Sequence, residues 1–206
     1  MKYEEWEPLY SDILKKFSFS RESDEKSADI LSHLLKNDAF PVLRDITSGK
    51  DVTVCGNAPV LARELDSVKG VIYAADKAAL VLWSHGIRPD VIVTDLDGAD
   101  EEFLTMNEAG TVIVIHAHGD NIPLITYWVP RFRGPLVGTT QSRPFGSIYN
   151  FGGFSDGDRA VFCAYESGAK SVRLIGFDCD DPDVDEIKHK KLLVARELLL
   201  HLGHVI

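Results

Sequence analysis

The sequence predicts an α/β fold: a doubly wound, mostly parallel Rossmann-like sheet with a helical N-terminal region. Three observations carry this expectation. Short β-branched runs recur from Asp51 onward, helical periodicity fills the gaps between them, and the connections are short and rich in Gly and Pro. The first third differs. Trp6, Leu9, Ile13, Leu14 and Phe17 repeat at helical spacing, as do Ile30, Leu31, Leu34 and Leu35, with charges between them. Residues 1–50 are therefore expected to form a helical region packed on the core, and residues 51–206 the α/β catalytic domain.

The elements follow in order. "DVTVCG" reads as the first strand and "NAPVLARELDS" as a short helix, and "GVIYAAD" is the second strand with "KAALVLWSHG" its helix. "DVIVTDLDG" holds a short β-branched run between Pro89 and Gly98, which suits a strand buried on both faces. "ADEEFLTMNEAG" is helical, "TVIVIHAHGD" is the fourth strand and "NIPLITYWV" a helix. Beyond a Pro/Gly/Arg-rich stretch come "PLVGTTQ", a loop "NFGGFSDG", the helix "DRAVFCAYESG", the strand "SVRLIGFDC" and a last helix around "EIKHKKLLVARELLLHLG".

Composition removes several function classes. The 206 residues carry a formal net charge of -10 without any dense Lys/Arg run, which argues against nucleic acid and against a polybasic membrane patch. No apolar run approaches the roughly 20 residues of a membrane span. The start, "MKYEEWEPLYSDILKKF", is acidic and amphipathic where a signal peptide is basic and then apolar, so a cytoplasmic protein is expected. Cys55, Cys163 and Cys179 form an odd set without a C-x-x-C pair and read as small hydrophobes. The composition is compatible with a homo-oligomer.

In open α/β sheets ligands bind beyond the carboxyl ends of the strands, so those ends are read as a group. Gly56-Asn57-Ala58-Pro59 ends the first strand and suits either a phosphate-binding turn, with Pro59 in the first turn of a helix, or a plain tight turn. Asp76 ends the second, about 20 residues beyond Gly56, where an acid contacts ribose in nucleotide-binding βαβ units; a helix N-cap is the alternative. Asp95 and Asp97 end the third. In an extended chain residues two apart share a side, so both carboxylates are expected to converge on one point, and a divalent cation such as Mg²⁺ would relieve their repulsion. His116, His118 and Asp120 end the fourth, as metal ligands or as buried histidines and a cap. Asn150, Asp156, Asp158 and Arg159 surround three glycines before a helix, and Asp178 and Asp180 end the last strand. Carboxylates clustered on one rim, with a glycine turn beside them, point to phosphoryl chemistry with a divalent ion.

These residues also carry a resemblance. "AADKAALVLWSHGIRPDVIVTDLDG" is similar to the thiamin pyrophosphokinase pattern. "GNAPVL", "AADKAA", "PDVIVTDLDG", "HAHGDN", "FGGFSDGDRA" and "LIGFDCDD", in that order, resemble the archaeal 6-hydroxymethyl-7,8-dihydropterin pyrophosphokinase family over residues 51–200. The resemblance implies Mg²⁺-dependent transfer of a diphosphate from ATP to the hydroxymethyl group of a reduced pterin, with release of AMP, on the way to a folate or methanopterin-type cofactor. By the motif match, Asp95 and Asp97 take the place of metal ligands and Asp120 that of the downstream acid. Thr94, Lys77, Ala78 and Ala117 depart from the thiamin enzymes, and the sequence ends before a C-terminal β-sandwich of the thiamin type, which favours the pterin.

Under that reading Asp120 or His118 would accept the alcohol proton. Lys188 and Lys191, three apart, would reach phosphates or else form a solvated face. Asp178, then Asp156, would pair with the guanidine-like edge of the pterin, and Phe177 or Phe154 would stack on its ring. Asn150 would add a polar contact. Three alternatives stay open: a thiamin pyrophosphokinase, a nucleotide-sugar glycosyltransferase, which also uses D-x-D with a metal, and a non-catalytic nucleotide-binding sensor.

Overall fold

Successive residues of a strand face opposite sides of the sheet, and here both sides are apolar. Val52, Val54, Val91, Val93, Val112 and Val114 join one buried cluster, while Ile92, Ile113 and Ile115, which alternate with them, join a second with Cys55 and Ala74. Two apolar faces must be covered twice, so helices are required above and below. A computed structural model describes residues 1–180 and 184–204; Asp181, at the end of the motif "LIGFDCDD", lies outside them.

The strands are β1 (Asp51–Cys55), β2 (Val71–Ala75), β3 (Val91–Thr94), β4 (Val112–Ala117), β5 (Leu136–Thr140), β6 (Ile148–Tyr149) and β7 (Ser171–Ile175). They form one sheet in the order β6-β5-β4-β3-β2-β1-β7, and each neighbouring pair is parallel. The fold is the doubly wound α/β class the sequence predicts, and its described sheet is wholly parallel. The short β6 was not foreseen, because two residues carry no period.

The helices are α1 (Tyr3–Phe17), α2 (Arg21–Leu34), α3 (Phe40–Thr47), α4 (Leu61–Glu64), α5 (Ala78–Ser84), α6 (Glu101–Glu108), α7 (Ile122–Trp128), α8 (Asp156–Glu166) and α9 (Glu186–His201). Stepping outward from β1 to β5, the chain lays α4 to α7 on the isoleucine face, as crossovers of one hand require. From β6 the chain returns across the sheet, so α8 packs over β1, β2 and β3 on the valine face, where α9 joins it. The first helices wrap the β5–β6 edge. Trp6 and Tyr10 of α1 enter the valine core, Ala28 and Leu31 of α2 enter the other, and the Ala39 N–H is bonded to the Leu136 carbonyl. Among the described residues no helix is long and apolar enough to cross a membrane.

The loop after β1 differs from expectation. "NAPVLARELDS" divides into α4 and a 3-10 turn at Leu65–Ser67, and α4 begins after Pro59 instead of around it. The reason lies next door. The Gly56 N–H is bonded to the Ile175 carbonyl at 2.8 Å and the Ala58 N–H to the Gly176 carbonyl at 2.9 Å, which ties this stretch to the end of β7. A Cβ on Gly56 would lie 2.5 Å from the Gly176 oxygen. Gly56→Ala should therefore push β1 and β7 apart and cost about 1–3 kcal/mol, as overpacked sites do, seen as a lower urea midpoint with an unchanged slope.

Candidate active site

In a wholly parallel sheet every strand leaves on the same rim, and each following helix begins there. Asp76 follows β2, Asp95 follows β3, and Asp156 is the first residue of α8. One carboxylate oxygen from each lies within 4.8 Å of the others. The cluster thus joins three segments that lie far apart in sequence.

Local geometry aims each group. Asp76 is 8% exposed and sits at φ 45°, a left-handed conformation that turns its side chain over the end of the sheet. Its Oδ1 accepts a hydrogen bond from the Thr94 hydroxyl at 2.6 Å, and the same Thr94 oxygen accepts from the Leu96 N–H at 2.7 Å. Leu96 is also left-handed, at φ 75°, and its side chain is fully buried in the isoleucine-face core. That buried leucine breaks the extended register between the two aspartates. Asp95 faces the cluster with its side chain 21% exposed, whereas Asp97 turns out to 67%, where its carboxylate lies 4.0 Å from the Lys77 ammonium. The expected convergence of Asp95 and Asp97 on one point is absent for this reason, and the Asp97 N–H instead closes a turn on Asp95 Oδ1 at 3.1 Å. Gly98 completes the turn, since a Cβ there would lie 2.1 Å from Asp76 Oδ2.

Asp156 owes its freedom to a neighbour. Asp158, fully buried, caps α8 by accepting from the Phe154 and Ser155 N–H groups at 2.6 and 2.8 Å and from the Ser155 hydroxyl. The α8 start is thereby satisfied without Asp156. The guanidinium of Arg159, one turn further on, sits 3.2 Å from Asp156 Oδ1.

The charges are unevenly supported. Burial pushes the Asp76 carboxyl up to about 6, and the negative charges of Asp97 and Asp95 add to the effect, against the Thr94 hydrogen bond. Burial also raises Asp156 well above the ordinary value, reinforced by Asp95 and offset in part by Arg159. At Asp95 burial works against the charge, yet the His118 hydrogen bond at 3.2 Å and the Arg159 charge outweigh it and hold the carboxyl at about 2. One ionised and two reluctant carboxylates share the rim, a set of hard oxygen donors short of cationic partners.

The remaining expected residues fall into two groups. His118 touches Asp95, and Asp120, exposed, directs its N–H to His118 Nδ1 at 3.4 Å, so both border the cluster without joining it. His116 is buried, donates through Nδ1 to the Thr139 hydroxyl at 3.1 Å, and is held neutral by burial and by the Arg159 charge. Asn150 uses its carboxamide to close its own loop, donating to the Gln141 and Ser142 carbonyls and accepting from the Gly152 N–H. Phe177 is wedged between Gly56 and Gly157, where added Cβ atoms would meet its ring at 3.0 and 2.9 Å. Phe154 packs on Phe17, ring centroids 5.0 Å apart. Asp178 is exposed and accepts from the Asp180 N–H, Asn57 is exposed on the turn beside Gly56, and Lys188 and Lys191 lie on α9, exposed and half-buried. Sequence reasoning passed over Asn121, noted Thr94 only as a departure from the thiamin pattern, and placed Arg159 in a loop-to-helix start suited to an anionic or polar ligand without pairing it to Asp156. Arg159, three residues after Asp156 on a helix, was the one signal available.

The fold and this rim define the class: a doubly wound α/β protein with a carboxylate cluster, its candidate ligand site, at the carboxyl ends of parallel strands. A family model described as "6-hydroxymethylpterin diphosphokinase MptE-like" matches residues 26–184. A protein of Pyrococcus furiosus named 6-hydroxymethyl-7,8-dihydropterin pyrophosphokinase is 41% identical, over 97% of this chain and 93% of its own length. Proteins of the same name from Methanothermobacter thermautotrophicus and Methanocaldococcus jannaschii are each 36% identical, over 97% and 98% of this chain and 94% and 96% of their own. The chain belongs to the MptE-like family, whose named members are diphosphate-transferring enzymes.

Two outcomes test the site. Gly98→Ala should displace the Asp76 carboxylate and weaken Mn²⁺ binding, measured by titration calorimetry, while the circular dichroism spectrum is kept. The folded protein holds the Asp76 proton from the ordinary 3.8 up to about 6, a window in which the unfolded chain has lost it. Stability of the metal-free protein should therefore fall as pH rises through that window, and Asp76→Asn should flatten this part of the slope in thermal unfolding run in chelator.

Proposed function

We propose that the chain transfers the terminal diphosphate of ATP to the hydroxymethyl group of 6-hydroxymethyl-7,8-dihydropterin and releases AMP, with Mg²⁺ as the metal. The observation that carries the phosphoryl chemistry is the Asp76, Asp95 and Asp156 cluster. The acceptor is taken from the near-full-length relatives, which bear that activity in their names.

The donor set fits Mg²⁺. It is all oxygen, and its spread of at most 4.8 Å is close to the roughly 4 Å across an octahedron of metal–oxygen bonds. Asp76, Asp95 and Asp156 would hold the ion, and Asp97 and Asp120, which lie outside that cluster, are proposed to reach the nucleotide-bound metal from the solvent side. Once bound, Mg²⁺ neutralises the charge spread over the phosphate oxygens.

The alcohol oxygen attacks the β-phosphorus, the bond from that phosphorus to the α–β bridging oxygen breaks, and AMP leaves with that oxygen. Little covalent work remains for the protein, so its task is to align the hydroxyl with the scissile bond and to take its proton. His118 and Asp120 are the proposed acceptors. The Nδ1 of His118, which among the described residues takes the long contact from the Asp120 N–H, is the proposed proton-accepting nitrogen. Lys77, beside Asp97, is a cation near the mouth of the cluster, and Lys188 and Lys191 are proposed to approach phosphates from α9. The turn at Gly56 and Asn57 is the proposed seat of the nucleotide, Asp178 is proposed to pair with the pterin edge, and Phe177 and Asn150 to shape its pocket. A cytoplasmic site of action goes with a reaction that consumes ATP, and the product would serve a folate or methanopterin-type pathway.

The test is product analysis after incubation with ATP, Mg²⁺ and either the dihydropterin or thiamin. AMP and a diphosphorylated pterin are expected, with none from thiamin; the reverse pattern would overturn the reading. Asp95→Asn should lower kcat by about a hundredfold or more, in line with removing an electrostatic contact to developing charge, without loss of fold.

A further inference from the structure

A carboxylate taken out of water must have its acceptor capacity filled, or it destabilises the fold. Asp24 of α2 is 3% exposed and far in sequence from every strand end. Its Oδ1 accepts from the Gly119 N–H at 2.8 Å, and its Oδ2 accepts from the Tyr10 hydroxyl at 2.7 Å and the Gln141 amide at 2.8 Å. Among the described residues it forms no salt bridge.

One turn further along α2, the Ser27 hydroxyl donates to Asn121 Oδ1 at 3.0 Å. Asn121 is itself buried, with its carboxamide fully engaged. Its Oδ1 also accepts from the His118 N–H at 3.1 Å, and its Nδ2 donates to the carbonyls of Asp95 and His116 at 2.8 and 2.7 Å. Between the two anchors Gly119 lies flush on the helix, where a Cβ would fall 2.6 Å from that of Ser23. His118 is thus gripped on both sides by α2 contacts, and its ring reaches Asp95 Oδ2 at 3.2 Å.

We propose that Asp24 and Ser27 are positioning residues of the active centre: α2 fixes residues 118–121 so that His118 engages Asp95. This rests on the reading of Asp95 as an active-site carboxylate. An apolar residue at position 24 would pack α2 as well, but only an acceptor there can hold the Gly119 amide. The helical N-terminal region thereby contributes to the reaction without touching a substrate.

The experiment uses the metal-free full chain labelled with ¹⁵N-histidine, alongside steady-state kinetics. In the unmutated protein the His118 ring should show a hydrogen-bonded Nε2 proton. Asp24→Ala should lose that signal and lower kcat about ten- to hundredfold, the usual cost of removing an outer partner, with KM for ATP changed less than kcat. Asp24→Asn should restore both, since it keeps an acceptor for Gly119 and its amide can donate to Gln141 Oε1, which is buried without a hydrogen-bond partner. A folded Asp24→Ala protein with unaltered His118 signals would overturn the proposal. Should that variant fail to fold, Ser27→Ala decides: a lost ring signal supports positioning, an unchanged one refutes it. Absence of pterin product from the unmutated protein would sink the proposed function while leaving the ring signals to judge this inference alone.

Discussion

Mutual repulsion among Asp76, Asp95 and Asp156 is the constraint around which the rim is organised. No single segment supplies two of the three, so the cluster exists only because β2, β3 and α8 are locked together by the sheet and its two cores. Each carboxylate has its own support: a hydroxyl from Thr94, an imidazole from His118, a guanidinium from Arg159. The supports are graded. Asp95 is kept ionised, while burial and neighbouring negative charge raise the Asp76 and Asp156 carboxyls above the ordinary range. Backbone strain belongs to the same arrangement, since two non-glycine residues in left-handed conformations, Asp76 and Leu96, flank the site. Such conformations cost on the order of 1–3 kcal/mol each and persist where the surroundings hold them, here by burial of the Leu96 side chain.

The sheet was legible in the sequence because its strands are β-branched on both faces, a pattern that parallel sheets require and solvated segments do not sustain. The rim was legible in outline, since the carboxyl ends of strands are where ligands bind in this class. What stayed hidden has specific physical causes. Asp95 and Asp97 were paired by the two-residue period, but the period stops at Leu96, whose positive φ no local rule demanded. Asp156 stood in the sequence among several acids of one loop; only the return of the chain across the sheet brings it beside Asp95. α4 and β6 are shorter than any repeat that could announce them. Asp24 was the least visible, because a charged residue among charged residues on an amphipathic helix reads as solvated until its buried neighbours are known.

The helices ahead of the sheet share two tasks through the same residues. They cover the β5–β6 edge, where the Ala39 N–H holds the Leu136 carbonyl while Ile148 pairs its own backbone groups with Phe145, and they brace the loop after β4 through Asp24 and Ser27. Edge protection and site geometry are therefore mechanically continuous. Trp6 illustrates this, buried in the valine-face core while its indole N–H holds the Gln141 carbonyl at 2.8 Å, next to the amide that Asp24 binds.

The pairing of β7 with β1 has a consequence during synthesis. Asp51 and Ser171 are register partners and are also joined by a side-chain hydrogen bond spanning 120 residues of sequence. At ribosomal rates of roughly 5–20 residues per second, that interval lasts about 6–24 s. Throughout it β1 is an open border of a growing parallel sheet, and for most of it the valine side lacks the cover of α8. The nascent polypeptide is then most exposed to pairing with its neighbours on the polysome, and the acidic cluster lacks Asp156 for most of the same period. The complete carboxylate cluster and a covered β1 should thus arrive late and almost together, as α8 and then β7 leave the exit tunnel.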